Sequence, residues 1–272
     1  MKHAINLTKK ANEIRRDVIE ISYRAGVGHI APALSIIDIL TVLYFSILRI
    51  NPKNPTKKTR DRFILSKGHA AAALYATLRH RGFFTKKKLR TYCQDNGAFG
   101  VHPDYNIRFG VELTTGSLGH GLAVGAGMAI SLKDTYPRNS PHVFVLVSDA
   151  ELNEGSVWET IMFASHQKLD NLTLIIDDNG LQAFGRTKDV LNIQPIEDKL
   201  NVFGWQTMCV NGHDMTALEK ILTNIPFQNG KPNAVVAKTI GGKGISFMED
   251  TIEWHYLSLS KEQYKKALKE LL

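Results

Sequence analysis

The sequence predicts an α/β fold, a parallel sheet with helices on both faces, and three observations carry that prediction. Residues 143–147 (VFVLV) and 172–176 (LTLII) are continuously apolar, as strands covered on both faces by helices must be. Strand-like runs alternate with helical patterns along the chain, the order from which parallel sheets are built. A length of 272 residues with 43% hydrophobic content suits a chain that buries a substantial core.

The elements follow in order. Charged and apolar residues alternate at helical spacing near the start, which predicts a helix over 8–25. The longest apolar stretch, 34–48, is interrupted by Asp38 and falls short of the roughly 20 residues that a bilayer crossing needs. It reads as a buried helix over 34–47. Residues 51–59, with Pro52, Pro55 and three lysines, form a polar loop rather than a domain boundary. A strand follows at 63–66, then helices at 69–81, 86–93 and 118–134. Strands at 142–148 and 172–178 enclose a helix at 154–168. The remainder reads as a strand at 206–210, a helix at 214–224, a strand at 234–238 and a helix at 261–271. No internal repeat or low-complexity linker divides the chain, so residues 1–272 are read as one domain.

Composition excludes several classes. The formal net charge is 34 − 26 = +8, but the basic clusters Lys57-Lys58, Lys86-Lys87-Lys88 and Lys265-Lys266 are short and scattered. No aromatic-basic module accompanies them, so they read as solvated faces and no nucleic-acid partner is expected. The start lacks the uninterrupted apolar core of a signal peptide. No membrane association is expected. Cys93 and Cys209 are too few and too far apart in sequence for a disulfide framework or a four-ligand zinc site. A reducing cytoplasm is the expected location.

In parallel α/β sheets, ligands collect at the carboxyl ends of strands, where loops and helix amino termini offer unpaired N–H groups. Three segments qualify. Asp149 stands where the strongest strand ends, and Asn179 stands where the next one ends. If those strands are neighbours, a carboxylate and an amide oxygen converge, and with a backbone carbonyl and a diphosphate they complete the oxygen shell that Mg²⁺ or Ca²⁺ prefers. Asp149 alone would be read as a helix cap; the paired arrangement favours a metal and diphosphate site. Residues 114–121 (TTGSLGHG) form a small-residue loop that lets backbone approach a ligand, without the dinucleotide-binding spacing. Close helix packing explains Gly125 and Gly127. The third set is His29, His69, His102 and His255, each in a glycine-rich or loop context suited to polar recognition and proton transfer. His3, His80, His142, His166 and His213 have nothing local to set them apart.

Residues 65–70 (LSKGHA), 112–121 (ELTTGSLGHG), 149–159 (DAELNEGSVWE) and 178–182 (DNGLQ) closely resemble the amino-terminal half of transketolase. The likeness runs in order over essentially the whole chain and is nearest to the separate amino-terminal subunit of a transketolase split into two polypeptides. It implies a thiamine diphosphate-binding domain of the diphosphate-gripping type and two-carbon ketol transfer from a ketose to an aldose. By the same resemblance, Asp149, Asn179 and the Leu181 carbonyl are the Mg²⁺ ligands, with Ca²⁺ as an alternative ion. His69 and His255 contact the diphosphate, while Gly116, Ser117 and Leu118 lie against the cofactor and Ala150 approaches its diphosphate. Glu154 links the two cofactor sites across a subunit interface. His29, His102 and His255 are the catalytic set, the first two facing the sugar.

The sequence departs from the family pattern at several points. Ser148-Asp149-Ala150 replaces Gly-Asp-Gly, and an alanine there would crowd the diphosphate or resist a positive φ, weakening cofactor binding. Ala183-Phe184-Gly185 replaces Ile-Asp-Gly, Gly28-His29-Ile30-Ala31-Pro32 replaces Gly-His-Pro-Gly, and His255-Tyr256-Leu257 replaces His-Gly-Lys. These point to a specialised paralogue. The family's pyrimidine-binding half has no counterpart in the chain, so a carboxyl-terminal transketolase subunit is the expected partner, in an α2β2 assembly with sugar or sugar-phosphate substrates. The metal segment by itself also permits the α chain of a 2-oxoacid dehydrogenase or a deoxyxylulose phosphate synthase; residues 66–69 and 114–120 favour transketolase. A cofactor-free regulatory subunit is the remaining alternative, opposed by Asp149, Asn179, His69 and His255.

Overall fold

Every residue of Val143–Ser148 and of Leu172–Asp178 is buried, so these two strands must lie inside a sheet covered on both faces. The computed structural model describes residues 5–272 and bears this out; His3 and the first residues of the amino-terminal pattern lie outside the described residues. In chain order the elements are α1 (Leu7–Ala25), α2 (Ile30–Ser35), α3 (Ile37–Val42), β1 (Arg62–Leu65), α4 (Ala71–Arg81), α5 (Lys86–Leu89), α6 (Gly121–Thr135), β2 (Val143–Ser148), α7 (Gly155–His166) and β3 (Leu172–Asp178). Then come β4 (Leu181–Gln182), β5 (Gly185–Arg186), α8 (Thr187–Val190), α9 (Ile196–Val202), β6 (Gln206–Asn211), α10 (Met215–Thr223), β7 (Asn233–Lys238) and α11 (Lys261–Glu270).

Five strands form one sheet in the order β1-β2-β3-β7-β6, and all neighbouring pairs are parallel. Side chains alternate between its faces. Phe144, Leu146, Ile175 and Val235 join a core with α1 to α4, while Val145, Val147, Leu174 and Val236 join a second core with α6, α7 and α9. Helices therefore cover both faces. Neighbouring β2 and β3 run in register with Ser148 opposite Asp177, which brings the ends carrying Asp149 and Asn179 side by side.

Local sequence explains where several helices begin and end. The Asn6 side chain accepts from the Lys9 N–H at 2.9 Å to start α1, and Gly26 ends it in the left-handed conformation with φ of 66°. Ser260 and Gln263 form a reciprocal capping box on α11.

The stretch expected as one helix over 34–47 begins earlier and is broken at Ile36, with a π turn over Leu43–Ile47. Pro32 fits because it lies in the first turn, where backbone N–H groups lack intrahelical acceptors. The helix expected over 86–93 stops at Leu89, since Tyr92 pairs with Phe99 and Cys93 turns at φ of 50°. That expected from 118 starts at Gly121 because Gly119 has φ of 85°, outside helical space. Cys93 and Cys209 are free thiols, and among the described residues no helix is long and apolar enough to cross a membrane.

Candidate active site

The carboxyl ends of β1, β2 and β3 feed three loops into one cleft of about 400 Å³, joined by the segments around His29 and His255. Strand-to-helix connections leave their loops at this edge of the sheet, which is why residues far apart in sequence meet there. Histidines from four segments ring the cleft. His29 lies 5.4 Å from His69, 6.3 Å from His102 and 5.2 Å from His255 between ring centroids, and His69 lies 5.4 Å from His255.

Local geometry fixes these rings. His29 precedes α2 in the left-handed conformation with φ of 61°, and its backbone N–H donates to the His255 carbonyl at 2.9 Å. Gly28 allows that closeness: a Cβ there would meet the Tyr256 carbonyl oxygen at 2.3 Å. The Tyr75 hydroxyl donates to the His102 carbonyl at 3.0 Å. Burial lowers the pKa of His29, with His102 and the Lys67 charge adding to the effect. Burial likewise pushes His69 well below its ordinary value and His255 down to about 4. At neutral pH these three rings are uncharged and act as directional donors and acceptors. His29 lines the cleft, and its Nδ1 is buried without a partner among the described residues.

The floor of the cleft is built from oxygen atoms. Asp149 is fully buried; its Oδ1 accepts from the Ala150 N–H at 2.8 Å, and its Oδ2 accepts from the Gly180 N–H at 2.9 Å and the Thr187 hydroxyl at 2.8 Å. Burial pushes its pKa up to about 7 against the lowering hydrogen bond from Thr187, and the neighbouring Asp177 and Asp178 charges push the same way. No protein cation pairs with it among the described residues: Lys67 and Lys238 are engaged by Asp177 and Asp178. A buried carboxylate beside an amide oxygen at Asn179 and the carbonyl of Leu181 is a hard-oxygen donor set, which fits Mg²⁺ or Ca²⁺ and would be held ionised by it. Asn179 and Leu181 line the cleft, and Asp149 lies beneath it between Ser148 and Ala150, which do line it.

Glu151 ties the loops together. Its fully buried carboxylate accepts from the Ser66 hydroxyl and from the Gly119 N–H at 2.9 Å, while the Ser66 oxygen receives the Gly121 N–H at 3.1 Å. This clasp holds Gly116 and Leu118 at the cleft wall. Gly119 is required there, because a Cβ would lie 2.6 Å from Ser156 Oγ and 2.8 Å from Glu154 Cβ.

Most of the residues singled out in the sequence meet here: His29, His69, His102, Gly116, Leu118, Ala150, Glu154, Asn179, Leu181 and His255 all line the cleft. Ser117 does not; it is exposed at the tip of the loop, outside the lining. Gly125 packs as expected, with room for no Cβ 2.5 Å from Val145, whereas Gly127 is exposed and a Cβ there would touch nothing. Ala150 is not among the residues with positive φ, so only crowding could disfavour a methyl there. Lys67, Asp177 and Glu151 stand out only once the loops are assembled. Charged residues at the ends of apolar strands were the available signal.

An open parallel sheet that gathers a hard-oxygen floor and a polar ring at one edge has the build of a thiamine diphosphate-binding domain, and the comparisons agree. Residues 7–271 match the family described as transketolase, thiamine diphosphate binding domain. The chain belongs to the transketolase family. It is 38% identical to an apulose-4-phosphate transketolase subunit of Phocaeicola vulgatus, covering 97% of this chain and 93% of that one. It is 36% identical to 6-deoxy-6-sulfo-D-fructose transketolase subunit SqwG of a Clostridium species, covering 98% and 96%. The transketolase structure from Leishmania mexicana superposes with a TM-score of 0.91 at 28% identity, covering 99% of this chain and 42% of that one. The chain thus spans about two-fifths of that solved enzyme and nearly the full length of the two subunits.

Proposed function

We propose that this chain is the diphosphate-binding subunit of a two-chain transketolase, working in the cytoplasm with thiamine diphosphate and Mg²⁺. The observation that carries the reading is the convergence of Asp149 and the 179–181 turn beneath a cleft ringed by four histidines. Asp149, Asn179 and the Leu181 carbonyl would hold the cation, with Ca²⁺ as a possible replacement, and His69 and His255 would donate to diphosphate oxygens. Gly116 and Leu118 would lie against the cofactor ring. What the cofactor supplies when bound is a carbon nucleophile and an electron sink for breaking and forming a carbon–carbon bond.

The chain's own residues do the rest. His29, with an unpartnered buried Nδ1, and His102 beside Gly116 are placed to bind sugar hydroxyls and to carry a proton to or from the hydroxyl at the reacting carbon. A neutral His29 suits that task, because its ring can accept at one nitrogen and donate at the other. Glu154, exposed at the start of α7, would couple this site to a second one across a subunit interface.

A complementary pyrimidine-binding subunit completes the enzyme, in an α2β2 assembly. The relatives of similar length are named for a phosphorylated and a sulfonated sugar, so a ketose carrying a terminal anion is the proposed donor class. Reconstitution with the complementary subunit, thiamine diphosphate and Mg²⁺ should transfer a two-carbon unit from such a donor to an aldose. Decarboxylation of a 2-oxo acid in place of ketol transfer would refute the assignment.

A further inference from the structure

Asp177, at the end of β3, carries no established role and is fully buried. Its Oδ2 accepts three hydrogen bonds: from Lys67 Nζ at 2.6 Å, Ser35 Oγ at 2.7 Å and Asn179 Nδ2 at 3.0 Å. Oδ1 accepts from the Thr239 hydroxyl. The Lys67 ammonium also donates to the Pro32 carbonyl at 3.1 Å, and neither member of the ion pair is exposed to solvent. Burying two charges costs desolvation that their attraction does not reliably recover, so such a pair is poor evidence for stability and calls for another role.

An asparagine side chain has an accepting end and a donating end, and only the oxygen can bind a cation. Asp177 Oδ2 can only accept, so it captures Nδ2 and turns Oδ1 the opposite way. That oxygen in turn accepts from the Leu181 N–H at 2.9 Å and fixes the peptide turn from which the Leu181 carbonyl projects. The backbone carbonyl of Asp177 also receives the Asp149 N–H at 3.1 Å. One residue therefore touches all three proposed ligands or the atoms that orient them.

We propose that the buried Lys67–Asp177 pair is a positioning device that sets the Asn179 amide, and through it the Leu181 turn, to present oxygen to the divalent cation. Lys67 and Ser35 meet the same Oδ2 and hold the carboxylate where it accepts from Asn179 Nδ2, whereas a neutral amide in place of that carboxylate could bond either end of the Asn179 side chain. The inference rests on the cation reading above.

The test is an Mg²⁺ titration of the assembled enzyme at saturating thiamine diphosphate, followed by calorimetry, with thermal unfolding measured in parallel. Lys67→Met and Asp177→Asn each leave a buried group without its partner and risk misfolding. The double variant Lys67→Met/Asp177→Asn leaves no buried charge unpaired, so it separates positioning from stability. It should unfold near the wild-type temperature and bind Mg²⁺ about 10–100-fold more weakly, the usual effect of removing a residue that orients a metal ligand. Wild-type Mg²⁺ affinity in the double variant overturns the proposal, and so does a double variant that fails to fold, which would make the pair structural. A wild-type enzyme that binds thiamine diphosphate without any divalent cation overturns the cation reading itself and this inference with it.

Discussion

Replacing Gly119 with alanine should damage the site more than the size of one methyl group implies. Gly119 has φ of 85°, and holding an L-residue in left-handed space costs about 1–2 kcal/mol. The added Cβ would also lie 2.6 Å from Ser156 Oγ and 2.8 Å from Glu154 Cβ. Both neighbours are constrained, since Ser156 Oγ donates to the Gly119 carbonyl at 2.9 Å and Glu154 begins α7. Overpacking of that kind costs about 1–3 kcal/mol, for a total of roughly 2–5 kcal/mol. Part of the cost can be relieved by shifting the 116–121 loop, which would break the Gly119 N–H to Glu151 bond and displace Gly116 and Leu118 from the cleft wall. The expected result is a melting temperature lower by about 5 °C or more, together with weaker thiamine diphosphate binding in the assembled enzyme. Differential scanning calorimetry and isothermal titration read the two effects. A variant that keeps wild-type stability and wild-type cofactor affinity would refute the reasoning.

Asp149→Asn should remove the Mg²⁺ dependence of thiamine diphosphate binding, with a loss of affinity at least as large as the about 10–100-fold of a supporting residue; an unchanged titration would exclude Asp149 as a ligand. Ala150→Gly should tighten cofactor binding if the methyl crowds the diphosphate, and an unchanged dissociation constant would end that idea. His142 gives a pH dependence. Burial holds it down to about 4 from an ordinary 6.5, with its Nε2 2.7 Å from the Thr173 hydroxyl. As pH falls from about 6.5 the unfolded chain takes up this proton first, so the stabilisation is complete above 6.5, lost progressively towards 4, and worth up to about 3 kcal/mol. Denaturant midpoints of His142→Gln should fall less steeply than wild type over that window; parallel curves would count against it.

How much of this was legible depended on how local the signal is. The runs at 143–147 and 172–176 showed themselves as central strands because burial on both faces leaves no polar alternation. Asp149 and Asn179 could be paired because they follow consecutive strands. The elements between 181 and 190 leave little trace in the sequence: β4 and β5 are two residues each and α8 is four, too short for any periodicity to register. The Lys67–Asp177 bond spans 110 positions, and the histidine ring is assembled from four loops. Such contacts come from sheet topology, which local pattern does not encode.

The sheet has a further effect as a partition. Because β2 and β3 send alternate side chains into two separate cores, a change at Leu146 and one at Leu174 lie in different packing environments with no side-chain neighbours shared. Changes far out in the two cores, such as at Leu40 in α3 and at Ile161 in α7 on the other face, should have stability effects that sum. The layer under α6 and α7 can then drift in sequence without altering how α1 to α4 pack, while the loops at the shared strand ends, fed by both layers, answer to both.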